Sequence, residues 1–519
     1  MRLHDFVDYL GREHPAREFA VCGDRRLSYG EALEASNRLA NALCAAGLAV
    51  GDRFAYVSKN CLEYPLVFLA ASKMGAVPVP LNYRLAPPEL AYIANDSESK
   101  LLIARGEFVA AIDSIRSDLQ GVTAFVAQDA PARPGWESWA DWVGAQPTTA
   151  PDREVSLEDD LYQMYTSGTT GRPKGAVLTQ QAVVLQLTQQ IAAFDAQSDD
   201  RVLLVAPMYH AAAAITALGG LVLGASLVIH EDFDPAAVVR ALSEDGVTRT
   251  TLVPAMIQAC LVFVPDVAER RYDDLRLIVY GASPIAAETL KRAMQVFGCD
   301  FTQAYGMTET TAVLTLLGPG EHRRALAERS KLLLSAGRPL PGTEIRIVDA
   351  DDRPVPAGTI GEIVGRGPQL MRGYWNLPEA SAETLRGGWM HTGDAGILDD
   401  EGYLYIQDRI KDMIVSGGEN VYPREVEEIL YKHPAVAEAA VIGVPDERWG
   451  ETVKAIVVVK PDQAATAEEL LGFCRDKLAG YKRPRSIDFI AELPRNAAGK
   501  VLKKNLRETY WAGRVRGIG

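Results

Sequence analysis

The chain has 519 residues, a length that predicts about three or four packing units and excludes a single small binding module. Apolar residues make up 48% of the sequence and charged residues 24%, as in soluble globular proteins, which excludes a disordered or fibrous chain. The net charge of −14 argues against a general phosphate-neutralising surface, so no nucleic-acid partner is expected.

The first part of the chain predicts strands that alternate with helices. Ser28 and Glu31 form a capping-box pattern ahead of leucines at helical spacing, which predicts a helix over residues 29–46. Short apolar runs separated by longer helical segments are typical of a doubly wound parallel sheet. The predicted strands are 54–57, 77–81, 101–104 and 124–127, with a helix over 63–74.

The same alternation recurs between residues 202 and 301 and predicts a second α/β layer, with strands at 203–205, 226–230, 250–253 and 277–280. Residues 211–229 carry no charge over 19 positions, nearly the length of a bilayer core. The glycines at 219, 220 and 224 favour a buried helix, a turn and a short strand instead. We therefore expect no transmembrane segment.

Turn clusters after Gly337 separate short strand candidates and predict a small β-rich subdomain. Beyond Arg409, about 110 residues carry their own helices and strands and predict a separate α+β domain. The predicted fold is thus α/β, with an N-terminal domain over 1–408 and a smaller C-terminal domain over 409–519. In the latter we expect helices at 424–432 and 466–479 and strands at 436–442, 454–459 and 487–490.

Cysteine usage and the N-terminus point to the cytoplasm. The N-terminal residues are interrupted by charges and lack the apolar core of a secretory signal. No CxxC pair occurs, so neither a disulfide framework nor a thiolate zinc site is expected. The scattered cysteines are Cys22, Cys44, Cys61, Cys260, Cys299 and Cys474.

Residues 165–175, YTSGTTGRPKG, form the strongest chemical motif. Its three glycines permit tight turns that present several N–H groups to one anion, while four hydroxyl side chains and Lys174 add donors and a positive charge. The spacing fits neither a Walker P-loop nor a dinucleotide fingerprint. The motif therefore predicts a phosphate-binding loop.

With this string the sequence resembles the adenylate-forming superfamily of acyl-CoA synthetases, luciferase and peptide-synthetase adenylation domains. Six further motifs match in the family's order across essentially the whole chain. They are GASP at 281–284, YGMTET at 305–310, MHTGD at 390–394, DRIKD at 408–412, SGGENVYP at 416–423 and PRNAAGK at 494–500.

The resemblance implies a two-step reaction. A carboxylate attacks the α-phosphorus of ATP to give an acyl-adenylate and pyrophosphate, and a thiol then displaces AMP to give a thioester. The residues implied in ATP or AMP binding are Thr166, Ser167, Gly168, Thr169, Thr170, Gly171, Lys174, Gly281, Ala282, Ser283, Gln303, Ala304, Tyr305, Gly306, Thr308, Asp394, Arg409 and Lys500.

The resemblance also implies the catalytic roles. Lys500 matches the catalytic lysine, Glu309 is expected to bind Mg²⁺ through its carboxylate, and Lys411 matches the hinge about which a mobile C-terminal domain turns. Tyr305 is expected along the adenine face and Gln303 at the edge of the base. Thr308, His210, Lys174 and Arg409 complete the expected catalytic set.

Coenzyme A is the expected thiol substrate. From residue 481 to 516, ten Lys or Arg side chains face three acidic ones, a local net charge of +7 in an acidic protein. Glycines at 417–418 leave room for a thin pantetheine arm. Trp449 could equally be an ordinary core aromatic. The expected CoA contacts are Gly417, Gly418, Trp449, Tyr481, Arg483 and Arg485.

The sequence determines the identity of the acid substrate less closely than it does those of ATP and CoA. The expected pocket consists of His210, Ala211, Ala212, Val253, Gly281, Thr311 and Ala312, a set without Arg or Lys. A dicarboxylate would need a counter-charge, so a hydrophobic monocarboxylic acid is expected, with a medium- or long-chain fatty acid favoured over an aryl acid.

Two other functions stay open at this point: an adenylating enzyme that loads a carrier protein, and a catalytically silent acyl or nucleotide sensor. The sequence also leaves room for peripheral contact with a membrane and for a homodimer.

Overall fold

The structure is a computed structural model of the chain, and it describes residues 1–131, 133–166, 172–417, 419–461, 463–475, 477–495 and 501–512. Within these ranges, none of the helices combines the length and the apolar content needed to cross a bilayer. The cysteines are free thiols. The α-helices are α1 (Leu3–Glu13), α2 (Tyr29–Ala45), α3 (Glu63–Met74), α4 (Pro87–Asp96), α5 (Val109–Asp113), α6 (Trp139–Gly144), α7 (Gln180–Ala193), α8 (Ala211–Leu223), α9 (Pro235–Glu244), α10 (Pro254–Phe263), α11 (Ala287–Phe297), α12 (Pro319–Ala327), α13 (Pro378–Thr384), α14 (Pro423–Leu430), α15 (Ala467–Arg475) and α16 (Lys503–Trp511).

The strands form several sheets. They are β1 (Glu18–Cys22), β2 (Arg25–Ser28), β3 (Arg53–Val57), β4 (Val77–Leu81), β5 (Leu101–Arg105), β6 (Ala124–Gln128), β7 (Glu137–Ser138), β8 (Asp160–Thr166), β9 (Lys174–Thr179), β10 (Arg201–Leu204), β11 (Ser226–Ile229), β12 (Arg249–Leu252), β13 (Leu277–Gly281), β14 (Asp300–Tyr305), β15 (Thr315–Leu317), β16 (Arg338–Pro339), β17 (Glu344–Val348), β18 (Gly361–Arg366), β19 (Gly373–Tyr374), β20 (Met390–Leu398), β21 (Leu404–Arg409), β22 (Ile414–Ser416), β23 (Glu419–Val421), β24 (Val436–Asp446), β25 (Gly450–Val459) and β26 (Ser486–Phe489).

Two large sheets confirm the predicted α/β architecture. The first has the order β4-β3-β5-β6-β7 and is parallel throughout. The second has the order β16-β15-β14-β13-β12-β10-β11-β1-β2, with a parallel centre and antiparallel edge strands. Parallel strands need crossovers, and helices supply them. The N-terminal strand β1 joins the second sheet beside β11, a pairing that the local sequence pattern did not predict.

A shared layer of helices lies between the two sheets. Helices α1, α2, α3, α7 and α8 bury apolar side chains in one core together with residues of both sheets. Every residue of α3 is buried, because this helix is covered on all sides. The uncharged stretch after His210 is α8 followed by β11, as expected, and α8 ends at Gly224 with φ 91°.

Outside the two large sheets, the chain forms small β-sheets and then a C-terminal region that contains both helices and strands. Antiparallel strands β17, β18, β20 and β21 form the predicted small β subdomain. Strands β8, β9 and β19 form a separate three-stranded sheet. In the C-terminal region, β22 to β26 form one sheet, and α14 and α15 pack their apolar residues against it. This smaller unit of helices and strands follows the larger N-terminal part, as the sequence predicts.

Candidate active site

The phosphate-loop motif connects the two strands of a hairpin. Thr166 is the last residue of β8 and pairs with Lys174, the first residue of β9. The intervening Ser167, Gly168, Thr169, Thr170 and Gly171 lie outside the described residues. The ammonium group of Lys174 lies 4.9 Å from the centroid of the Tyr374 ring. The hairpin thus brings a hydroxyl and a positive charge to the two ends of the loop.

Glu309 lies next to this hairpin in a short 3-10 turn that begins at Thr308. Its carboxylate is buried, and it accepts hydrogen bonds from the Tyr374 hydroxyl at 2.8 Å and the Thr166 hydroxyl at 3.4 Å. Burial and the neighbouring Glu309 raise the pKa of Tyr374, which therefore stays a neutral donor. Tyr374 was not predicted from the sequence, because no local motif marks it.

The described residues contain no cluster of three or more Asp, Glu, His or Cys side chains that could hold a metal ion. A Mg²⁺ ion here would therefore depend on the single carboxylate of Glu309 together with oxygens of a bound phosphate. That donor set suits Mg²⁺, which binds through one or two carboxylates plus substrate phosphates and keeps several waters. The residues present fit such an ion.

The adenine candidates lie at the carboxyl ends of two neighbouring parallel strands. Gly281 at the end of β13 pairs with Ala304 on β14. A Cβ atom at Gly281 would lie 2.2 Å from the Ala304 carbonyl oxygen, so only glycine fits there. Ala282 follows in a left-handed conformation with φ 65° and leads into Ser283. This edge of an open α/β sheet is where such folds bind nucleotides.

Gln303 carries an open acceptor at the same edge. Its amide nitrogen donates to the Ala304 carbonyl at 3.3 Å, whereas its buried Oε1 atom has no partner among the described residues. A buried acceptor without a partner is costly, so a ligand with an N–H donor is favoured here. The exocyclic amine of adenine is such a donor.

Asp394 is buried and engaged by two neighbours. It accepts a hydrogen bond from the Tyr305 hydroxyl at 2.8 Å, and its Oδ1 lies 2.7 Å from Nε of Arg409. Burial alone would lower the pKa of Arg409, but Asp394 together with Tyr305, Glu309 and Asp412 outweighs burial, and the pKa is raised. Tyr305 is itself buried, with its ring in a small apolar core. The three predicted residues therefore form one hydrogen-bonded group.

A cavity of about 490 Å³ opens at the carboxyl ends of β13 and β14. Its walls include Ala282, Ala304, Gly306 and Thr308 at the nucleotide side, and it continues under α8. The predicted acid-pocket residues that line it are His210, Ala211, Ala212, Val253, Gly281 and Ala312. Thr311 is not among its walls, because its fully buried hydroxyl points away and donates to the Gln369 carbonyl at 2.6 Å.

His210 immediately precedes α8 and faces this cavity. Burial, together with the positive charge of Arg84, lowers the pKa of His210 to about 4, so the ring is neutral at pH 7. Its Nε2 atom has no hydrogen-bond partner among the described residues. The ring therefore offers one unused nitrogen to a ligand at the start of α8.

The expectation that the acid pocket lacks a cationic side chain is wrong. Arg84 and Arg249 both line the cavity, although neither lies near the predicted pocket residues in sequence. Arg249 is neutralised by Asp200, at 3.1 Å, in a largely buried pair. Arg84 makes no ion pair of this kind within the described part of the chain. Arg495 also lines the cavity and is paired with Glu438 at 2.8 Å, so Arg84 is the cation that acts on His210.

The CoA candidates lie along strand β25. Trp449 covers Gly417, where a Cβ atom would come within 2.5 Å of the indole ring, and the Gly417 N–H donates to the Trp449 carbonyl at 2.9 Å. The Arg485 N–H donates to the Val453 carbonyl, four residues along, about 13 Å from Trp449. Gly418 lies outside the described residues.

The side chains of this region are partly exposed. Trp449 and Tyr481 are each 39% exposed, so Trp449 is not a core aromatic. Arg448 lies over the Trp449 ring, 4.7 Å from its centroid. Arg483 donates through Nε to the Leu478 carbonyl at 2.8 Å, and its other nitrogens make no hydrogen bond within the described residues. Exposed aromatic faces beside arginines suit an adenine ring and phosphates.

The predicted hinge lies between β21 and β22. Burial lowers the pKa of Lys411, which lies in a short 3-10 turn. On either side of it, Asp408 is 3.1 Å from Lys503 and Asp412 is 2.7 Å from Arg507, both on α16. Lys500, the predicted catalytic lysine, lies outside the described residues.

Known proteins resemble the chain over its full length. The model of the AMP-binding enzyme family matches residues 8–375, and that of the AMP-binding enzyme C-terminal domain matches residues 425–500. A feruloyl-CoA synthase of an Amycolatopsis species is 40% identical, with 94% of this chain and 95% of that protein covered. A fatty acid–[acyl-carrier-protein] ligase, ScoC of Streptomyces coeruleorubidus, is 37% identical, with 99% and 97% covered.

A solved structure of a Mycobacterium tuberculosis fatty acyl CoA synthetase superposes with a TM-score of 0.79 at 35% identity, and 99% of each chain is covered. The similarity therefore extends through both the large N-terminal part and the smaller C-terminal part. The chain belongs to the AMP-binding enzyme family and is an acid–thiol ligase of the acyl- and aryl-CoA synthetase type.

Proposed function

We propose that the protein is an ATP-dependent carboxylic acid:CoA ligase for a hydrophobic monocarboxylic acid, with a medium- or long-chain fatty acid as the favoured substrate. The observation that carries this proposal is the continuous cavity that starts at Thr308 and His210 and continues beneath α8. A cavity of this extent supports an elongated acid next to the nucleotide edge of the sheet.

The first half-reaction joins two anions, so its catalysis depends on neutralising charge and on alignment. The residues proposed for the polyphosphate are Thr166, Lys174 and Thr308, while Arg409 reaches the α-phosphate or the sugar. A Mg²⁺ ion held by Glu309 would supply further charge neutralisation. When neutral His210 carries its proton on Nε2, it can donate one hydrogen bond to the acid's carboxylate.

The shape of the cavity favours a chain over a ring. Thr216, Gly219, Gly220 and Leu223 also line it, so it follows α8 from beginning to end. Thirteen helical residues span about 20 Å, much longer than a single aromatic ring. An aryl acid of the benzoate or cinnamate type would fill only the part near His210. The distal arginine, Arg249, is neutralised by Asp200, which disfavours its use as the counter-charge for a second carboxylate.

The second half-reaction needs a thiol near the adenylate. We propose that CoA contacts Trp449, Tyr481, Arg483 and Arg485, with its pantetheine arm passing Gly417 and Gly418. A C-terminal domain from residue 409 would turn about Lys411 between the two half-reactions. This order of events gives separate roles to Lys500 in adenylation and to the Gly417 region in thioester formation.

The substrate proposal is tested by an acid panel. Butyrate, dodecanoate, palmitate, benzoate and ferulate are assayed with ATP and Mg²⁺ for AMP release, with and without CoA. We expect CoA-dependent release that is fastest with the longer fatty acids. Sustained AMP release that requires a carrier protein instead of CoA would support the carrier-loading alternative. No release with any acid would support a silent sensor.

The catalytic proposal is tested at Lys500. We expect Lys500→Ala to abolish formation of acyl-AMP while thioester formation from preformed acyl-AMP and CoA continues. Equal loss of both half-reactions would refute the role given to Lys500.

A further inference from the structure

Polar side chains line the far half of the acid cavity, beyond the alanines that follow His210. Most of them are satisfied. The Thr216 hydroxyl donates to the Ala212 carbonyl at 2.8 Å, so its 3.0 Å contact with Thr251 must use the Thr251 proton. Arg249 is held by Asp200 and donates to the Phe194 carbonyl at 2.9 Å. Each of these groups already has a hydrogen-bond partner within the protein.

Gln190 is the exception. It lines the cavity from α7 and is 8% exposed, and its side-chain amide makes no hydrogen bond within the described residues. A Cβ atom placed on Gly219 would lie 3.8 Å from Oε1 of Gln190, so the amide faces α8 at a position that has no side chain. The amide thus borders the cavity and the Gly219 side of α8, next to Leu187.

A second glutamine of α7, Gln186, also has an amide without a partner in the described part of the chain. It lies one turn before Gln190 on α7, is fully buried, and neither amide atom has a partner within the described part of the chain. Buried amides are nearly always hydrogen-bonded, and one that is not costs about 1–3 kcal/mol. Gln186 is not among the residues that line the cavity, so of the two amides it is that of Gln190 that a bound acid can reach.

The position of Gln190 fixes where that group lies along a bound acid. Nine residues separate His210 from Gly219, which is roughly 14 Å along the helix. A fully extended chain of about twelve carbon atoms covers this distance, given C–C bonds near 1.5 Å. We propose that Gln190 recognises a hydroxyl group near the far end of a fatty acid, so that the preferred substrate is a hydroxylated acid of this length.

This inference rests on the proposed function, because it takes the carboxylate to lie at His210. An amide both donates and accepts, and a hydroxyl group satisfies either half of it. The unsubstituted acid leaves the amide unpaired, and that penalty discriminates against it. A wholly apolar chain would gain nothing from glutamine at this position.

The test compares kcat/KM for 12-hydroxydodecanoate and for dodecanoate in CoA-dependent AMP release. Three proteins are compared: wild type, Gln190→Leu and Gln181→Leu. Gln181 is exposed on the same helix and serves as the matched control. We expect the ratio of hydroxylated to plain acid to fall at least about tenfold in Gln190→Leu and to stay at the wild-type value in Gln181→Leu. An equal ratio in all three proteins would overturn the inference.

A second measurement needs no variant. Wild-type protein is assayed with 4-, 8- and 12-hydroxydodecanoate, and we expect kcat/KM to be highest for the 12-hydroxy isomer. Equal values for the three isomers would show that water alone satisfies Gln190 and would also overturn the inference. Failure of the proposed function is distinct, because then dodecanoate itself would give no CoA-dependent AMP release.

Discussion

Asp394 and Arg409 are joined twice. They pair through the backbone on β20 and β21, and Nε of Arg409 lies 2.7 Å from Oδ1 of Asp394. The next residue to the N-terminal side, Asp408, is instead paired with Lys503 on α16. Just before Lys411, Arg409 is thus paired with a residue of the N-terminal part, whereas its neighbour Asp408 is paired with a residue of the C-terminal part. A rotation about Lys411 would keep the Asp394–Arg409 contact and break the one between Asp408 and Lys503.

Replacement of Lys503 tests this junction. Lys503 is paired with Asp408 and with Glu427 at 2.9 Å, and these carboxylates raise its pKa against the opposing effect of burial. Lys503→Met leaves both carboxylates without their cation, and we expect a loss of about 3–5 kcal/mol in the free energy of unfolding. Urea unfolding followed by circular dichroism measures it.

Lys504→Met is the matched control, because Lys504 is exposed on the same helix. Its free energy of unfolding should stay within about 0.5 kcal/mol of wild type. Similar losses in the two variants would show that the buried ion cluster contributes nothing specific.

Glu309→Gln tests the proposed magnesium ligand. The amide keeps the shape of the side chain but loses its negative charge, so we expect kcat/KM for adenylation to fall about 100-fold and the Mg²⁺ concentration at half-maximal rate to rise. Tyr374→Phe is the control, since it removes only the hydroxyl that donates to Glu309. A Glu309→Gln enzyme with an unchanged Mg²⁺ dependence would contradict the assignment.

Gly281→Ala tests the close approach of β13 and β14. Its Cβ atom would lie 2.2 Å from the Ala304 carbonyl, so the strands must separate at the proposed adenine site. We expect a loss of about 1–3 kcal/mol in stability and a raised KM for ATP. Gly320→Ala, with no atom within 4 Å of the new Cβ, should leave both quantities unchanged. A normal KM for ATP in Gly281→Ala would place the nucleotide elsewhere.

His210 gives a prediction about pH. Its folded-state pKa of about 4 lies below the ordinary value of 6.5, so the unfolded chain binds more protons between these values and stability falls as the pH drops through them. His210→Gln removes this contribution. Between pH 7 and pH 5 we expect the wild type to lose about 2 kcal/mol more than the variant in urea unfolding. Equal losses would show that the ring is not held neutral by burial.

Much of the fold could be predicted because its signals are local. The predicted helix over 63–74 coincides with α3, since its continuous apolar run is buried on all sides. The partners of a strand are not local: β1 pairs with β11, some two hundred residues away, and no pattern near Glu18 indicates it.

The site also depends on contacts between residues that are far apart in the sequence, and local motifs do not indicate these contacts. Motifs indicated Glu309, Asp394 and Arg409, and the structure brings the last two into contact. Arg84 lies between β4 and α4, and Gln190 lies on α7; neither segment carries such a motif, and both residues reach the cavity only through the packing of distant segments. Side chains that define the acid substrate are thus the ones that sequence reasoning missed.

The most direct test of the central claim follows one oxygen atom. In the proposed reaction the acid's carboxylate oxygen attacks the α-phosphorus and stays with AMP when the thiol displaces it. Dodecanoate labelled with ¹⁸O at both carboxyl oxygens is incubated with the protein, ATP, Mg²⁺ and CoA, and the products are analysed by mass spectrometry. We predict AMP with one ¹⁸O atom and dodecanoyl-CoA that retains the other. Unlabelled AMP, or ADP as the nucleotide product, would contradict the account.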